Sequence, residues 1–246
     1  MTTSRTARLL AGPVLWVLGQ AALVAAGIFV YFRVRGLTEG SEDVAVRHAH
    51  DIASLERHLG IDVEEAVQAP VETSEAAEAL ANWVYIWGHW PVIIVTMVWL
   101  AWHHRDVFLR LRNGMLVSGG LGLVIFATYP VAPPRLAELG LVDTVTRSSD
   151  SYRVLQPPAF VNQYAAMPSL HYGWDLLVGM AIVTAATTTW LRVVGWVLPV
   201  LMAWAVVATA NHFVLDVVAG AALALVGHLA ALGLERMRLD RSRAAP

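Results

Sequence analysis

Residues 193–234 read VVGWVLPVLMAWAVVATANHFVLDVVAGAALALVGHLAALGL, and this stretch decides the fold class. It is long enough for two membrane-spanning helices, each of which needs about 20 apolar residues. Asn211 and His212 separate the two helices, and Asp216 lies within the second. Because ionisable groups at membrane depth are costly and usually functional, His212 and Asp216 are the first candidates for a functional site.

The rest of the 246-residue chain has the same apolar character, with 57% hydrophobic and 15% charged residues. Such a composition is typical of a polytopic membrane protein and excludes an ordinary soluble domain. The absence of cysteine excludes disulfides and thiolate metal sites. All seventeen basic residues are arginine, so a cationic phosphate site must be built from guanidinium groups. The partners that we expect are membrane lipids and no nucleic acid.

Apolar runs predict six transmembrane helices, and hence an all-α membrane protein. They lie near residues 11–32, 80–102, 114–131, 168–188, 193–211 and 213–234. With a cytoplasmic N-terminus, the inner segments carry ten arginines against three acidic residues, and the outer segments carry seven against fourteen. The positive-inside rule requires such an asymmetry. The lack of lysine beside abundant Ala, Val and Arg indicates a GC-rich bacterial genome, so we expect a bacterial plasma membrane protein with both termini in the cytoplasm.

The predicted organisation has three parts. Residues 1–79 hold an uncleaved transmembrane anchor and an outer segment, residues 80–234 form the membrane core, and residues 235–246 form a basic cytoplasmic tail. Apolar residues at helical spacing predict an outer-face helix over residues 43–60 that lies in the membrane interface, either as a connector or as a lid. These apolar residues are Ala45, Ala49, Ile52, Leu55 and Leu59.

The spacing of His212 and Asp216 predicts a direct contact. Four residues apart on a helix, they share one face, so the carboxylate can hold the imidazole in one tautomer and support its charge. A nucleophilic or proton-transferring histidine requires such support. Two alternatives stay open: a polar pair that locks two helices together, and a metal site formed with His171 and His89.

Two further motifs belong with this pair. In MPSLH, residues 167–171, the proline suits the first position of a helix, so the amides of residues 169–171 are expected to point outward as an anion site. Arg135 follows Pro133 and Pro134 and can bind two phosphate oxygens. The predicted topology places Arg135, His171 and His212 together on the outer face. They are the anion ligand, proton donor and nucleophile that phosphoryl transfer needs.

The three motifs, in this order, resemble those of the type 2 phosphatidic acid phosphatase superfamily, in particular its branch similar to fungal inositol phosphorylceramide synthase. They are YPVAPPR at residues 129–135, MPSLH at residues 167–171 and NHFVLD at residues 211–216. The resemblance runs from about residue 80 to residue 234 and implies a six-helix membrane fold. It also implies metal-independent chemistry through a phosphohistidine, with no cofactor.

By this resemblance, His212 is the nucleophile, Asp216 orients it, and His171 acts first as acid and then as base. Arg135 and Ser169 are implied as phosphate ligands. The superfamily's usual lysine before an Arg-Pro pair is absent, and Ala205 and Val206 stand where its third motif usually has Ser-Arg, a loss that the fungal-type branch shares. Candidates to replace these cations are Arg153, Arg147, Gln163, Tyr164 and Asn211.

Three more residues are predicted around the site. Asp175, four residues after His171, can hold the His171 ring or bond to a neighbouring helix. His89, in the second span, is either an interhelical histidine with a satisfied ring or a group that reaches the site from below. Tyr129 opens the first motif and is a candidate for a supporting contact.

The sequence therefore predicts an integral membrane phosphatase or phosphotransferase that acts on a phospholipid or another lipid-linked phosphate ester at the outer face. The final acceptor decides between hydrolysis by water and transfer to an alcohol such as inositol, and both stay open. The alternatives are a non-catalytic lipid-binding or transport protein and a metal-dependent membrane hydrolase.

Overall fold

The computed structural model of the chain describes residues 3–38, 40–148 and 162–244. These ranges contain ten α-helices, one short 3₁₀ helix at Pro134–Leu136 and no strand beyond one isolated bridge between Val131 and Ala165, so the predicted all-α class is confirmed for them. The helices are α1 (Thr3–Leu37), α2 (Glu42–Leu59), α3 (Glu64–Thr73), α4 (Glu75–Trp87), α5 (Trp90–His103), α6 (Arg105–Thr128), α7 (Thr144–Ser148), α8 (Leu170–Ala185), α9 (Thr189–Ala208) and α10 (Val214–Ala244).

Four of these helices, α1, α6, α9 and α10, are long and apolar enough to cross a membrane. Helices α4 and α5 add a fifth span if their 43° bend is taken as a break within one span. Helix α8 is apolar but has only 16 residues, about 24 Å at 1.5 Å per residue, which is less than a hydrocarbon core of about 30 Å. The structure therefore supports four or five spans, and the sixth stays a prediction.

Two helices extend beyond the predicted spans. Helix α6 begins at Arg105 and not near residue 114, and α10 continues to Ala244, through most of the predicted basic tail. Arginine is a good helix former, so charge alone does not end a helix. Arg110 also donates two hydrogen bonds to Glu235, at 3.0 and 3.2 Å, and this pair holds the extended parts of α6 and α10 together.

The core forms around α8, which packs against α5, α6, α9 and α10. Trp174 and Val178 of α8 are buried there, and the Trp174 indole N–H donates to the Ser118 hydroxyl on α6 at 3.2 Å. Gly179 of α8 meets Gly195 of α9 so closely that a Cβ on Gly179 would lie 2.3 Å from the Gly195 carbonyl oxygen. Small residues at such a crossing let membrane helices approach closely.

Helix α1 joins this core through aromatic contacts near its C-terminal end. The Tyr31 ring lies 5.4 Å from the Trp174 ring, and the Phe32 ring lies 5.7 Å from the Trp90 ring, measured between centroids. Beyond the helix, the Asn162 side-chain amide donates to the Thr38 carbonyl at 3.1 Å. The end of α1 is therefore held beside α5, α8 and the segment that precedes α8.

Helix α2 covers the loop that follows α6, and its predicted range of 43–60 agrees closely with the observed helix. The predicted apolar face was partly wrong, because Leu55 and Leu59 are exposed while Glu56 is buried. The buried face packs on the first motif, with the Ala132 amide donating to the Ala45 carbonyl at 3.1 Å. Its position in the membrane interface stays a prediction.

Candidate active site

Backbone hydrogen bonds bring the three sequence motifs to one end of the helix bundle. Each of the three segments is bonded to another by a main-chain amide, so their relative positions do not depend on flexible side chains. The bonds run from the Arg135 amide to the Ala210 carbonyl (3.0 Å), from the Ala166 amide to the Val131 carbonyl (3.2 Å) and from the Ser169 amide to the Asp216 carbonyl (2.9 Å).

A sharp reversal between α9 and α10 presents His212. Helix α9 ends in a Schellman motif, in which the Ala210 amide donates to Val207 and the Asn211 amide to Val206. Ala210 adopts φ of 52°, the left-handed conformation that such a cap requires and that glycine adopts more readily. The His212 amide also donates to Val206, at 3.0 Å, so the histidine backbone is fixed to the end of α9.

His212 and Asp216 form a buried pair. His212 Nδ1 lies 3.3 Å from Asp216 Oδ2, and the same oxygen accepts the Phe213 amide at 3.0 Å. The expectation that both residues lie on one helix was wrong in detail, because α10 begins at Val214 and His212 precedes it. Asp216 stands in the first turn and reaches back toward the residues before the helix, as in a capping box. With Nδ1 facing the carboxylate, Nε2 is the ring nitrogen left for a reaction.

Two glutamate side chains support the start of α10. Glu64 of α3 accepts the Val214 amide at 2.9 Å, and Glu56 of α2 accepts the Leu215 amide at 2.7 Å. The first amides of a helix have no partner within the helix, so these bonds anchor its N-terminus. Burial raises the pKa of Glu56 to about 8; the Leu215 bond lowers it, and the neighbouring Glu64 and Asp216 raise it.

His171 stands in the first turn of α8, opposite His212, with a distance of 6.2 Å between the two ring centroids. Its ring stacks on Tyr85 of α4 at 4.7 Å and lies 4.4 Å from the His89 ring. These contacts hold the imidazole between aromatic groups. The structure thus brings together the two histidines that the sequence singles out.

Asp175 bonds to a neighbouring helical segment, which was one of its two predicted contacts. Its Oδ1 lies 2.8 Å from His89 Nδ1, and both side chains are buried. The alternative contact with His171, on the same helix, was wrong, because Asp175 turns toward the break between α4 and α5 where His89 lies. A second His–Asp pair therefore stands beside His171, and the His89 ring is in contact with it.

Arg135 is held in place by its neighbours. Its Nε donates to the side-chain Oδ1 of Asn211 at 2.9 Å, and one terminal nitrogen donates to Asp143 at 3.4 Å. The Asn211 amide nitrogen donates to the Thr209 hydroxyl at 2.9 Å. The Asn211 side chain therefore orients Arg135, while direct binding of phosphate by Asn211 stays a prediction.

Ser169 begins α8, and the expectation for the local backbone was wrong here. Its hydroxyl accepts the Tyr172 amide at 3.4 Å, which makes Ser169 the N-cap, and Pro168 lies before the helix. The Ser169 amide was expected to point outward, but it donates to Asp216. Ser169 is buried, so a phosphate contact by its hydroxyl stays a prediction.

These elements surround a cavity of about 170 Å³. Its wall holds two arginines, Arg35 and Arg135, and no acidic residue among those that the structure describes. Such a wall favours an anion. Three histidines, three amide side chains and several aromatic rings also line the cavity: His89, His171, His212, Asn162, Gln163, Asn211, Tyr31, Tyr85 and Trp90.

An apolar groove of about 640 Å³ lies beside this cavity, between α1, α5 and α6. Tyr31, Trp90 and Trp174 line both spaces, so the polar cavity and the apolar groove are neighbours along the same aromatic wall. An amphiphile could occupy both, with its charged part among the arginines and histidines.

Several predicted residues lie elsewhere. Tyr129 stacks on His48 of α2 at 4.0 Å and is not part of the cavity wall. Arg147 bonds to Glu78 at 3.1 Å and Tyr164 packs among apolar residues under α2, so neither lines the cavity. Arg153 lies outside the described residues. Of the described candidates to replace the missing cations, Gln163 and Asn211 line the cavity.

The structure adds site residues that the sequence prediction did not include. Glu56 had a signal, because it follows Ala45, Ala49 and Ile52 on the apolar face of α2, where a carboxylate is unexpected. Tyr85 and Arg35 had none, since their positions depend on how α4 and α1 pack. Across the residues that the structure describes, no group of three or more His, Asp or Glu side chains is arranged to hold a metal ion.

Comparison with known proteins identifies a family. Residues 50–230 match the sequence model of the PAP2 superfamily, the type 2 phosphatidic acid phosphatases that the three motifs resemble. No curated protein and no solved structure matches the chain. The match confirms the superfamily, and the narrower fungal-type branch stays a prediction.

Proposed function

Since the chain belongs to the PAP2 superfamily, we propose that it is an integral membrane phosphatase or phosphotransferase that acts on a lipid-linked phosphate ester through a phosphohistidine at His212. Superfamily membership supports the phosphatase type of reaction. The observation that carries the specific proposal is the His212–Asp216 contact in the wall of a cavity that also holds His171 and Arg135.

In the first step, His212 Nε2 attacks phosphorus as the bond from phosphorus to the leaving oxygen breaks. The Nδ1 proton faces Asp216, which supports the positive charge that the ring gains. His171 gives a proton to the leaving oxygen, so the departing lipid leaves as a neutral alcohol. Arg135 binds non-bridging oxygens and stabilises their charge.

In the second step, the acceptor attacks phosphorus and the phosphorus–nitrogen bond breaks, which returns His212 to its neutral state. His171, now deprotonated, takes the proton of the acceptor. Water as acceptor makes the protein a phosphatase, and an alcohol such as inositol makes it a transferase. An inositolphosphotransferase-like reaction is the finer form of this proposal.

The shape of the site supports a lipid substrate. A cavity of about 170 Å³ suits a phosphoryl group with a small headgroup, and the adjoining apolar groove of about 640 Å³ suits an acyl chain. The aromatic wall shared by the two spaces would lie along the glycerol or equivalent linker. The charge asymmetry of the connecting segments supports a cavity that opens at the outer membrane face.

Trapping of the phosphoenzyme tests the proposal. Purified protein incubated with ³²P-labelled phosphatidic acid should form a base-stable, acid-labile adduct, and His212→Asn should abolish both adduct and turnover. His228→Asn, in α10 but absent from the cavity wall, is the matched control and should keep both. Turnover that survives His212→Asn contradicts the proposal.

Two outcomes point to the alternatives. Loss of activity in EDTA that zinc restores favours a metal-dependent hydrolase. Binding of phospholipid without any adduct or turnover, across a panel of labelled lipids and alcohol acceptors, favours a non-catalytic lipid-binding protein.

A further inference from the structure

We propose that Arg35, in the last turn of α1, is a second cationic ligand for the phosphoryl group. This inference rests on the proposed function, which supplies a phosphate ester as the bound molecule. It addresses the two cations that the superfamily motifs usually carry and that this chain lacks at those positions.

The packing of α1 directs Arg35 into the site. Tyr31 and Phe32 contact Trp174 and Trp90, and Arg35 stands four and three residues after them. Residues at these spacings share one helix face, so the aromatic contacts that hold α1 also point Arg35 toward the core. Arg35 accordingly lines the same cavity as His171 and His212.

One donor of the Arg35 guanidinium lacks an acceptor among the described residues. Its Nε is buried and has no hydrogen-bonding partner among the residues that the structure describes. A buried donor without a partner is costly, and the described cavity wall offers no carboxylate to pair with it. Arg135 differs, since Asn211 and Asp143 already hold it. An anionic ligand in the cavity is the partner that would satisfy Arg35.

The two arginines reach the cavity from different parts of the chain, Arg35 from α1 and Arg135 from the loop after α6. Arg35 also lies close enough to His171 to interact with its ring electrostatically. A phosphoryl group held between His171 and His212 would therefore meet a guanidinium from each arginine. Guanidinium groups can bind phosphate oxygens bidentately, which fixes the orientation of phosphorus as well as its charge.

The superfamily match begins at residue 50, so Arg35 comes from outside the matched region. The first helix would then be part of the binding site and not only an anchor. The tie between Asn162 and Thr38 supports this, because it joins the end of α1 to a residue of the cavity wall.

Phosphate binding by the full-length protein in detergent tests the inference. The His212→Asn background removes turnover, and isothermal titration calorimetry measures the affinity for inorganic phosphate and for dodecyl phosphate. Arg35→Met, which keeps an unbranched stem but removes the guanidinium, should weaken both affinities by about 10- to 100-fold, as the loss of charged hydrogen bonds predicts. The affinities of Arg35→Lys should lie between those of Arg35→Met and the parent protein. Arg33→Met, on an exposed residue outside the described cavity wall, should leave both within about twofold.

The outcomes separate this inference from the proposed function. Unchanged phosphate affinity in Arg35→Met overturns the role of Arg35, whatever the turnover of the wild type. Weaker binding of dodecyl phosphate alone also overturns it, because the arginine would then act on the chain and not on the phosphoryl group. If the wild type has no turnover but Arg35→Met still loses phosphate binding, the proposed function fails and the ligand role stands. If Arg35→Met lowers the melting temperature, the Arg35→Lys variant is used instead. At least threefold weaker phosphate binding by Arg35→Lys than by the parent protein then supports the role of Arg35, and a smaller change overturns it.

Discussion

The stability of the protein should fall as the pH rises from about 5 to 8, because of Glu56. Burial raises the pKa of this carboxyl from 4.5 to about 8, so between these values the folded protein holds a proton that the unfolded chain releases. The free energy of unfolding therefore decreases with pH across this window and levels off above it. Glu64 of α3 and Asp216 of α10 are the charged groups that face Glu56 and raise its pKa.

The size of the effect can be bounded. Each unit of pKa difference corresponds to about 1.4 kcal/mol, so the whole difference would be about 4 to 5 kcal/mol. Coupling of Glu56 to its charged neighbours and partial screening by water lower this, and we expect about 1 to 3 kcal/mol between pH 5 and pH 8. For a chain of this size, that is a fall in melting temperature of roughly 2 to 10 °C.

The assay is thermal unfolding in detergent at several pH values, with three proteins compared. The wild type should show the fall. Glu56→Gln keeps an oxygen for the Leu215 amide but cannot titrate, so its profile should be flatter by the amount above. Glu65→Gln, an exposed carboxylate beside Glu64, is the matched control and should follow the wild type. Parallel profiles for wild type and Glu56→Gln would refute the assignment of the effect to Glu56.

Two further predictions concern the N-terminal part of α10, beside the proposed catalytic histidine. Asp216→Asn removes the negative charge beside His212 and should lower kcat by about 10² to 10⁴ while phosphate binding persists; more than a tenth of the wild-type kcat would contradict the supporting role of the carboxylate. Gly220→Ala would place a Cβ 2.2 Å from the Ser169 carbonyl oxygen, so it should cost about 1 to 3 kcal/mol of stability and reduce activity. Gly233→Ala is its control, because a Cβ at this position of the same helix meets no atom within 4 Å. Equal melting temperatures for the two variants would show that the structure relaxes around Gly220 without cost.

Much of the fold could be predicted from the sequence because hydropathy and charge are properties of local segments. The stretch of residues 193–234 predicts two helices and a polar break, and the structure has α9, α10 and a reversal at that place. The spacing of His212 and Asp216 predicts their contact, although Asp216 makes it by reaching back from the first turn of α10 and not along a shared helix face. Helix ends were less predictable. The start of α6 and the end of α10 are held together by ion pairs between residues that are more than one hundred positions apart in the sequence.

Only the tertiary structure decided which groups complete the site. Asp175 could bond along its own helix or across to His89, and the rotation of α8 against the α4–α5 break selected His89. The capping of α10 by Glu56 and the presence of Arg35 in the cavity likewise depend on how α2 and α1 dock, over separations of more than one hundred residues. Sequence spacing reports which residues share a face of one helix. Which face meets which neighbour is set by packing of the whole bundle, and that is why the sequence by itself determined the membrane fold class and the central histidine pair but not the full set of charges around it.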